Sequence, residues 1–395
     1  PMDLLDLIIV LICIGFAVSG YRQGFVVGVM SFFGFVGGLL LGVWLVPEIM
    51  SHFQSSLVVS TISLCAVLAL AVIGQVLATT IGSRVRRELT WRPVQAMDQG
   101  AGAVVSVVSV LLVSWFLGLA LATSAMPVVV AQVHESRILA GIQKMLPADS
   151  ASWFRSFSSV LGRSGFPQVF GPFTQETIAN VPAPDPTVLR EAGVVSAESS
   201  IVKIVGDAPS CGKQIEGSGF VFAPHHVMTN AHVVGGVSDP TVQIGGTGRY
   251  YRAKVVLYDA ETDIAVLDVP DLSAPSLRFD TSGKAEDDAV VAGFPEDGGF
   301  SAVAARIRQE MDAQGQDIYD QNTVTRDIFS LYSTVLQGNS GGPLLTPSGE
   351  VYGVVFAKSL QDASTGYALT ADQVEQDAQQ GADLTGAVDT KGCAV

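Results

Sequence analysis

Charge is scarce in this chain of 395 residues: Asp, Glu, Lys and Arg together make up 15% of it. Positive charge is scarcer still, with 22 Lys and Arg against 37 Asp and Glu. Phosphate contacts need clustered Lys and Arg, so the balance argues against a nucleic-acid partner. Stretches 24–46, 57–82 and 100–126 hold no charged residue at all, and 4–20 holds only Asp6. Helices without a polar face are not surface helices of a soluble domain. The same absence leaves no ladder of intramembrane acids and bases for a proton or ion path. The first stretch has no basic start and is followed at once by a second, so it reads as a retained helix, not a cleaved leader. There are four cysteines and five histidines, which keeps the candidates for nucleophile, base and disulfide few. No internal repeat is evident.

What is present divides by region. Mean hydropathy is +0.42, and the apolar residues concentrate in the first third. Four stretches, each close to the ~20 residues that cross a bilayer, predict a four-helix transmembrane domain over 1–128. Residues 1–130 carry five Arg against five acids, so the net charge of −15 belongs to the remainder. Arg22 lies in the first connection and Arg84, Arg86, Arg87 and Arg92 in the third, while 47–56 has no Lys or Arg. The positive-inside rule puts the arginine-bearing loops in the cytoplasm, and everything beyond about 127 outside, in a multi-pass protein of the cell membrane. Asp98, at the entry to the fourth stretch, reads as an interfacial polar residue. Gly24/Gly28, Gly34/Gly38 and Gly38/Gly42 have the small-xxx-small spacing that lets helices approach, within the unit or between two copies. Cys13 and Cys65 fall in the apolar stretches and read as small apolar residues.

Residues 129–193 change character. Amphipathic pieces at 136–146 and 150–161 precede Pro167, Pro172, Pro182, Pro184 and Pro186, and predict a semi-rigid extracytoplasmic spacer. From about 194 to 395, short β-branched and aromatic runs bounded by Gly, Pro, Asp and Ser predict an all-β barrel or sandwich. In it, Gly338-Asn339-Ser340-Gly341-Gly342-Pro343 places a serine among glycines that let a substrate backbone approach. The N–H groups of Gly338 and Ser340 are then available to a developing oxyanion. His232, in Thr229-Asn230-Ala231-His232-Val233-Val234, follows Gly217-Ser218-Gly219 and is the candidate base. His225 and His226, beside Pro224, read as solvated. Asp263, directly before the apolar run Ile264–Leu267, is preferred to Asp259 as the carboxylate that fixes the imidazole tautomer. The chain order His232, Asp263, Ser340 is that of a chymotrypsin-like double β-barrel, not of an α/β-hydrolase. No metal or cofactor is expected. Cys211 and Cys393 flank the outer domain and are expected to pair in an oxidising exterior.

At Thr229–Val234, Thr262–Leu267 and Gly338–Pro343 the sequence resembles the trypsin-like and HtrA-like proteases. Tyr21-Arg22-Gln23-Gly24-Phe25 and the Asp98-x-Gly100 turn resemble the colicin V production protein membrane family. The combination is similar to the membrane-anchored acid-resistance serine proteases of mycobacteria and related actinobacteria. That resemblance implies a periplasmic endopeptidase of acid and oxidative stress whose substrates are cell-envelope proteins such as peptidoglycan hydrolases. It further implies a substrate pocket with its floor at Thr334 and walls at Phe356, Lys358 and Gly366. No acid stands at Thr334, so an uncharged side chain is expected before the scissile bond. Asn339 replaces the Asp that pairs with a new N-terminus in many secreted relatives, which argues against activation by that ion pair. Only 55 residues follow Ser340, so no PDZ module is expected behind it. The competing functions are an inactive protease fold that only binds peptides, and a secretion or transport component led by the helical unit.

Overall fold

The computed structural model describes residues 4–50, 57–88, 91–122, 132–133, 135–146, 167, 169–170, 176–209 and 213–394. They form two compact units: Pro1–Gly118 with Ser136–Leu146, and Leu119–Glu135 with Pro147–Val395.

The first unit is helical: α1 Leu4–Gln23, α2 Phe25–Met50, α3 Leu57–Arg87, α4 Arg92–Ala122 and α5 Arg137–Met145. Leu4–Gln23, Phe25–Gly42 and Arg92–Leu119 are long and apolar enough to cross a membrane. Among the described residues these three meet that test where the hydropathy had suggested four, so a count of four remains an inference from α3's length. Gly34 and Gly38 of α2 face α3: a Cβ on Gly34 would stand 2.4 Å from the Gly74 carbonyl, and one on Gly38 2.3 Å from that of Leu70. This half of the small-residue stripe is thus used within the unit.

The tight connection between α1 and α2 has a specific solution. Gly24 turns the chain at φ +79°. Asp98, 8% exposed, accepts the Val26 N–H (2.9 Å) and the Arg86 Nε–H (2.9 Å), and Arg86 also donates to the Arg22 carbonyl (2.7 Å). Asp98 is therefore the cap of α2 and the buried half of an ion pair with the part-exposed Arg86, not merely an interfacial residue. Asp6 serves α5 in the same way, accepting the Ser136 hydroxyl (2.6 Å) and the Arg137 and Ile138 N–H groups (3.2 and 3.3 Å).

Among the described residues the second unit has thirteen strands. A seven-stranded antiparallel sheet runs β5-β4-β1-β2-β3-β7-β6, from β1 Ile201–Ala208, β2 Lys213–Ala223, β3 His226–Thr229, β4 Thr241–Ile244, β5 Tyr251–Arg252, β6 Lys254–Asp259 and β7 Ile264–Asp268. A closed barrel runs β10-β13-β12-β11-β8-β9, from β8 Asp288–Gly293, β9 Ser301–Gln316, β10 Thr323–Tyr332, β11 Pro343–Leu345, β12 Val351–Lys358 and β13 Thr365–Thr370. The β-branched composition of these runs suits a pleated surface covered on both sides; all of β7 and β13 is buried. Phe220, Met228 and Ile264 of the sheet share one apolar cluster with Ile328, Val354 and Tyr367 of the barrel. Each such side chain contributes about 1.5–3 kcal/mol on burial. Short helices α6 Ala192–Ala197 and α7 Ala231–Val234 and the C-terminal α8 Ala371–Gly381 complete the unit. Thr370 caps α8 by accepting the Gln373 N–H (3.1 Å).

The stretch expected to be a semi-rigid spacer packs on the β unit where it is described. Val169 and Val188 are buried in the shared core cluster. Arg308 Nη1–H donates to the Ala179 carbonyl (2.7 Å) and Gln309 Nε2–H to that of Thr177 (3.0 Å). Pro182 and Pro184 keep the segment extended and Pro186 opens a short 3-10 helix over Pro186–Arg190, but valines at its flanks and carbonyls along it lay it on the barrel. The amphipathic piece 150–161 lies outside the described residues.

Candidate active site

Each of the three chemical residues sits at a junction of elements. β3 ends at Thr229, and Asn230 leads into α7, which carries His232 into the cleft. Asp263 stands in the turn before β7 with φ 69°, a left-handed conformation that Asp tolerates better than most residues. It is fully buried. Its Oδ1 accepts the His232 backbone N–H (2.9 Å) and its Oδ2 lies 2.7 Å from His232 Nδ1. A carboxylate accepts only, so Nδ1 carries the proton and Nε2 is left as the base. Asn230 Nδ2–H donates to the Asp263 carbonyl (2.8 Å), locking the two loops together. The rival Asp259 instead accepts the Glu261 and Thr262 N–H groups (2.8 and 3.1 Å) and only shapes the turn.

Ser340 lies between β10 and β11, and with His232 and Gly338 it lines a cleft of about 320 Å³. Gly338 adopts φ +95° and Gly341 φ +82°. A Cβ on Gly341 would stand 2.2 Å from both the Ser218 carbonyl and Thr229 Oγ1, so the loop requires glycine there. The backbone N–H groups of Gly338 and Ser340 donate to no group among the described residues. Asn339 turns inward, its Oδ1 accepting the Leu336 N–H (2.9 Å), and so braces the loop.

Ser218 is a residue that the sequence reading passed over. Its N–H donates to the Ser340 carbonyl (2.8 Å), its hydroxyl donates to the Gly338 carbonyl (2.6 Å), and its Oγ accepts the Phe294 N–H (2.9 Å). Thr229 in turn donates to the Ser218 carbonyl (2.7 Å). The Gly-Ser-Gly triplet before the histidine was the available signal: glycines on both sides of a serine admit the nucleophile loop.

The residues assigned to the substrate pocket do not line this cleft. Thr334 is exposed, Phe356 is fully buried in the core and Lys358 is half-buried. Gly366 packs on Val335, whose Cγ2 would stand 2.3 Å from a Cβ there. The cleft's other walls are acidic, with Glu216, Glu296 and Asp297. Burial, then the adjacent Asp297, pushes the Glu216 carboxyl up, whereas the Lys203 ammonium bound to Asp297 holds that carboxyl down. His226 is buried, not solvated, with ring nitrogens 2.9 and 2.8 Å from the Pro224 and Leu384 carbonyls. Cys393 is disulfide-bonded, and Cys211 lies outside the described residues. Ala394, next to Cys393, lines the cleft. Among the described residues no three His, Cys, Asp or Glu side chains lie at metal-ligand spacing.

Comparison with known proteins agrees with this architecture. Residues 217–354 match the trypsin-like peptidase domain, and residues 5–147 match the colicin V production protein family. The serine protease Rv3671c of Mycobacterium tuberculosis (strain ATCC 25618 / H37Rv) is 39% identical over 377 residues, 95% of this chain and 94% of that protein. A DegP-like probable periplasmic serine endoprotease of Halomonas elongata is 32% identical over 168 residues, 40% of this chain and 33% of that protein. The crystal structure of the active form of the Rv3671c protease superposes with a TM-score of 0.54 at 42% identity, over 58% of this chain and 100% of that one.

Proposed function

This chain belongs to the family of the mycobacterial serine protease Rv3671c, and on that premise we propose that it is a membrane-tethered extracytoplasmic endopeptidase in which His232, Asp263 and Ser340 carry the chemistry. The observation that carries the assignment is the Asp263–His232 pair at 2.7 Å, buried, with His232 and Ser340 opening on one cleft.

Ser340 Oγ attacks a peptide carbonyl while His232 Nε2 takes its proton. The N–H groups of Gly338 and Ser340 receive the oxyanion. His232 then gives its proton to the leaving amine, and water, activated by the same imidazole, releases the acyl group. Asp263 stays ionised and stabilises the imidazolium without accepting its proton. Asn339 supplies no carboxylate for a new N-terminus and instead holds the Leu336 N–H, which supports a loop formed without that ion pair.

Four spans with the arginine-bearing loops inside, an outer protease unit, a Cys211–Cys393 disulfide, an uncharged residue before the scissile bond, and cell-envelope proteins cleaved under acid or oxidative stress complete the proposal. The charge pattern supports the orientation; the family resemblance alone supports the stress role and the substrates. The test is labelling of the full-length protein with a fluorophosphonate beside Ser340→Ala. Labelling of the wild type that disappears in the variant is expected. A wild type that stays unlabelled while folded favours a peptide-binding scaffold instead.

A further inference from the structure

The turn that carries Asp263 joins β6 to β7 of the seven-stranded sheet, yet the β9–β10 hairpin of the barrel grips it. The Ile318 N–H donates to the Ala260 carbonyl (3.3 Å), and the Tyr319 and Tyr258 hydroxyls lie 2.6 Å apart. The third hold is Arg326 of β10. Its Nε–H donates to the Glu261 carbonyl (2.7 Å) and its Nη1–H to the Gln316 carbonyl (3.1 Å), so one planar group joins turn to hairpin. Arg326 is 2% exposed, and its Nη2 is buried without a hydrogen-bond partner among the described residues. A buried cation with an idle N–H is costly, and an apolar side chain of similar length would fill the space at less cost. What the charge meets accounts for it. Burial pulls the guanidinium below its ordinary value, while Asp263, then Asp317, Asp259 and Glu261, hold it up. Arginine keeps its proton in such a setting. Asp317 is satisfied by the N–H groups of Tyr319, Gln321 and Asn322 (3.0, 2.8 and 3.0 Å), and Asp259 by those of Glu261 and Thr262. Asp263 is fully buried, and its oxygens bond His232. The other ionisable groups about the turn are Tyr258, Tyr319, Asp377 and Asp389, with Lys391 over the Tyr319 ring (5.7 Å). Burial pushes both tyrosine hydroxyls up, so they stay neutral.

We propose that Arg326 is a positioning residue for the reaction: through the Glu261 carbonyl it fixes the turn that presents Asp263, and its charge balances the Asp263 carboxylate that bonds His232. The inference rests on the protease reading above. Bond and charge act differently. The bond decides where the carboxylate stands, and so how fast His232 activates Ser340. The charge opposes an imidazolium in the resting enzyme, and so decides how far into acid Nε2 remains a base. Arg326 is absent from the residues that line the cleft, so substrate binding lies outside its reach.

The test uses the full-length protein as wild type, Arg326→Met, Arg326→Gln and Arg326→Lys. The rate of fluorophosphonate labelling is followed from about pH 5 to pH 9, and kcat and KM are measured on one quenched fluorescent peptide. Arg326→Met removes bond and charge. Its labelling rate and kcat should fall about tenfold or more with KM within about twofold. The acid limb of its labelling rate should move up by about half a pH unit or more, because the imidazolium then forms more readily. Arg326→Gln keeps a donor for the Glu261 carbonyl and should recover most of the rate, with the limb still displaced. Arg326→Lys keeps the charge and should return the limb to its wild-type place. A limb unmoved in both neutral variants overturns the proposal, and so does a rate loss matched by a rise in KM. If Arg326→Met does not fold, Gln against Lys decides: a limb displaced in Gln alone supports the proposal, and one limb for both overturns it. A folded wild type that does not label overturns the protease reading instead.

Discussion

Asp263 works from a backbone conformation that would strain most side chains, φ 69°, and it spends both oxygens on His232. Asp263→Asn keeps a residue that tolerates that conformation but offers Nδ1–H a poorer and wrongly oriented acceptor. It is expected to lower kcat by about 10⁴ with little effect on KM, measured by active-site titration and steady-state kinetics. Ser218→Ala removes the hydroxyl between the Gly338 carbonyl and the Phe294 N–H. A lost buried hydrogen bond of this kind should cost about tenfold in kcat, again with KM held; equal kinetics would remove Ser218 from the oxyanion loop's support. The proposed triad of His232, Asp263 and Ser340 could be picked out in the sequence because each has distinctive neighbours: a small residue before the imidazole, an apolar run, a glycine cage. The bracing role of Ser218, marked only by its flanking glycines, and the burial of His226 were not, because Gly338, Phe294 and Leu384, which complete their bonding, lie far along the chain.

Helix α8 carries the element-scale consequence. Burial, reinforced by Asp259, pushes the Asp377 carboxyl from 3.8 up to about 7. The folded state therefore binds this proton more tightly than the unfolded chain does. Its favourable contribution is complete below pH ~4, where even the unfolded carboxyl is protonated, and is lost as pH rises through about 7. Asp377→Asn should remove that slope, so the gap in melting temperature between variant and wild type should widen from pH 4 to pH 8. A gap independent of pH would deny the carboxyl this role. The elements themselves were readable from hydropathy and β-branched runs, but α2, α3 and α4 run past the charge-free stretches to take in Glu48, Arg84 and Asp98. What composition does not encode is which polar residue ends a helix: Asp98 became a cap only through a turn at Gly24 and an arginine on another helix.

For the molecule as a whole, the boundary drawn at residue 194 cuts through a core. A protein beginning at 194 lacks Val169 and Val188, both buried in the cluster that the sheet and the barrel share. Relative to one beginning at 166, its melting temperature should be lower by on the order of 10 °C, read by differential scanning fluorimetry. Equal values would return 166–193 to the role of an inert spacer. Proline spacing could not reveal this docking, since an extended segment looks the same whether it hangs in solvent or lies on a barrel. The cap on α5 bears on how the chain is born. Asp6 and Ser136 are 130 positions apart, so the ribosome delivers the acid long before the groups that donate to it. An acid without a partner weakens the insertion of an apolar helix, though in the first turn of α1 by less than the about 3 kcal/mol it costs at the middle of a span. In the membrane reading proposed above, the helix made first is the one settled last, and a synthesis halted before residue 136 leaves it the weakest hold in the bilayer.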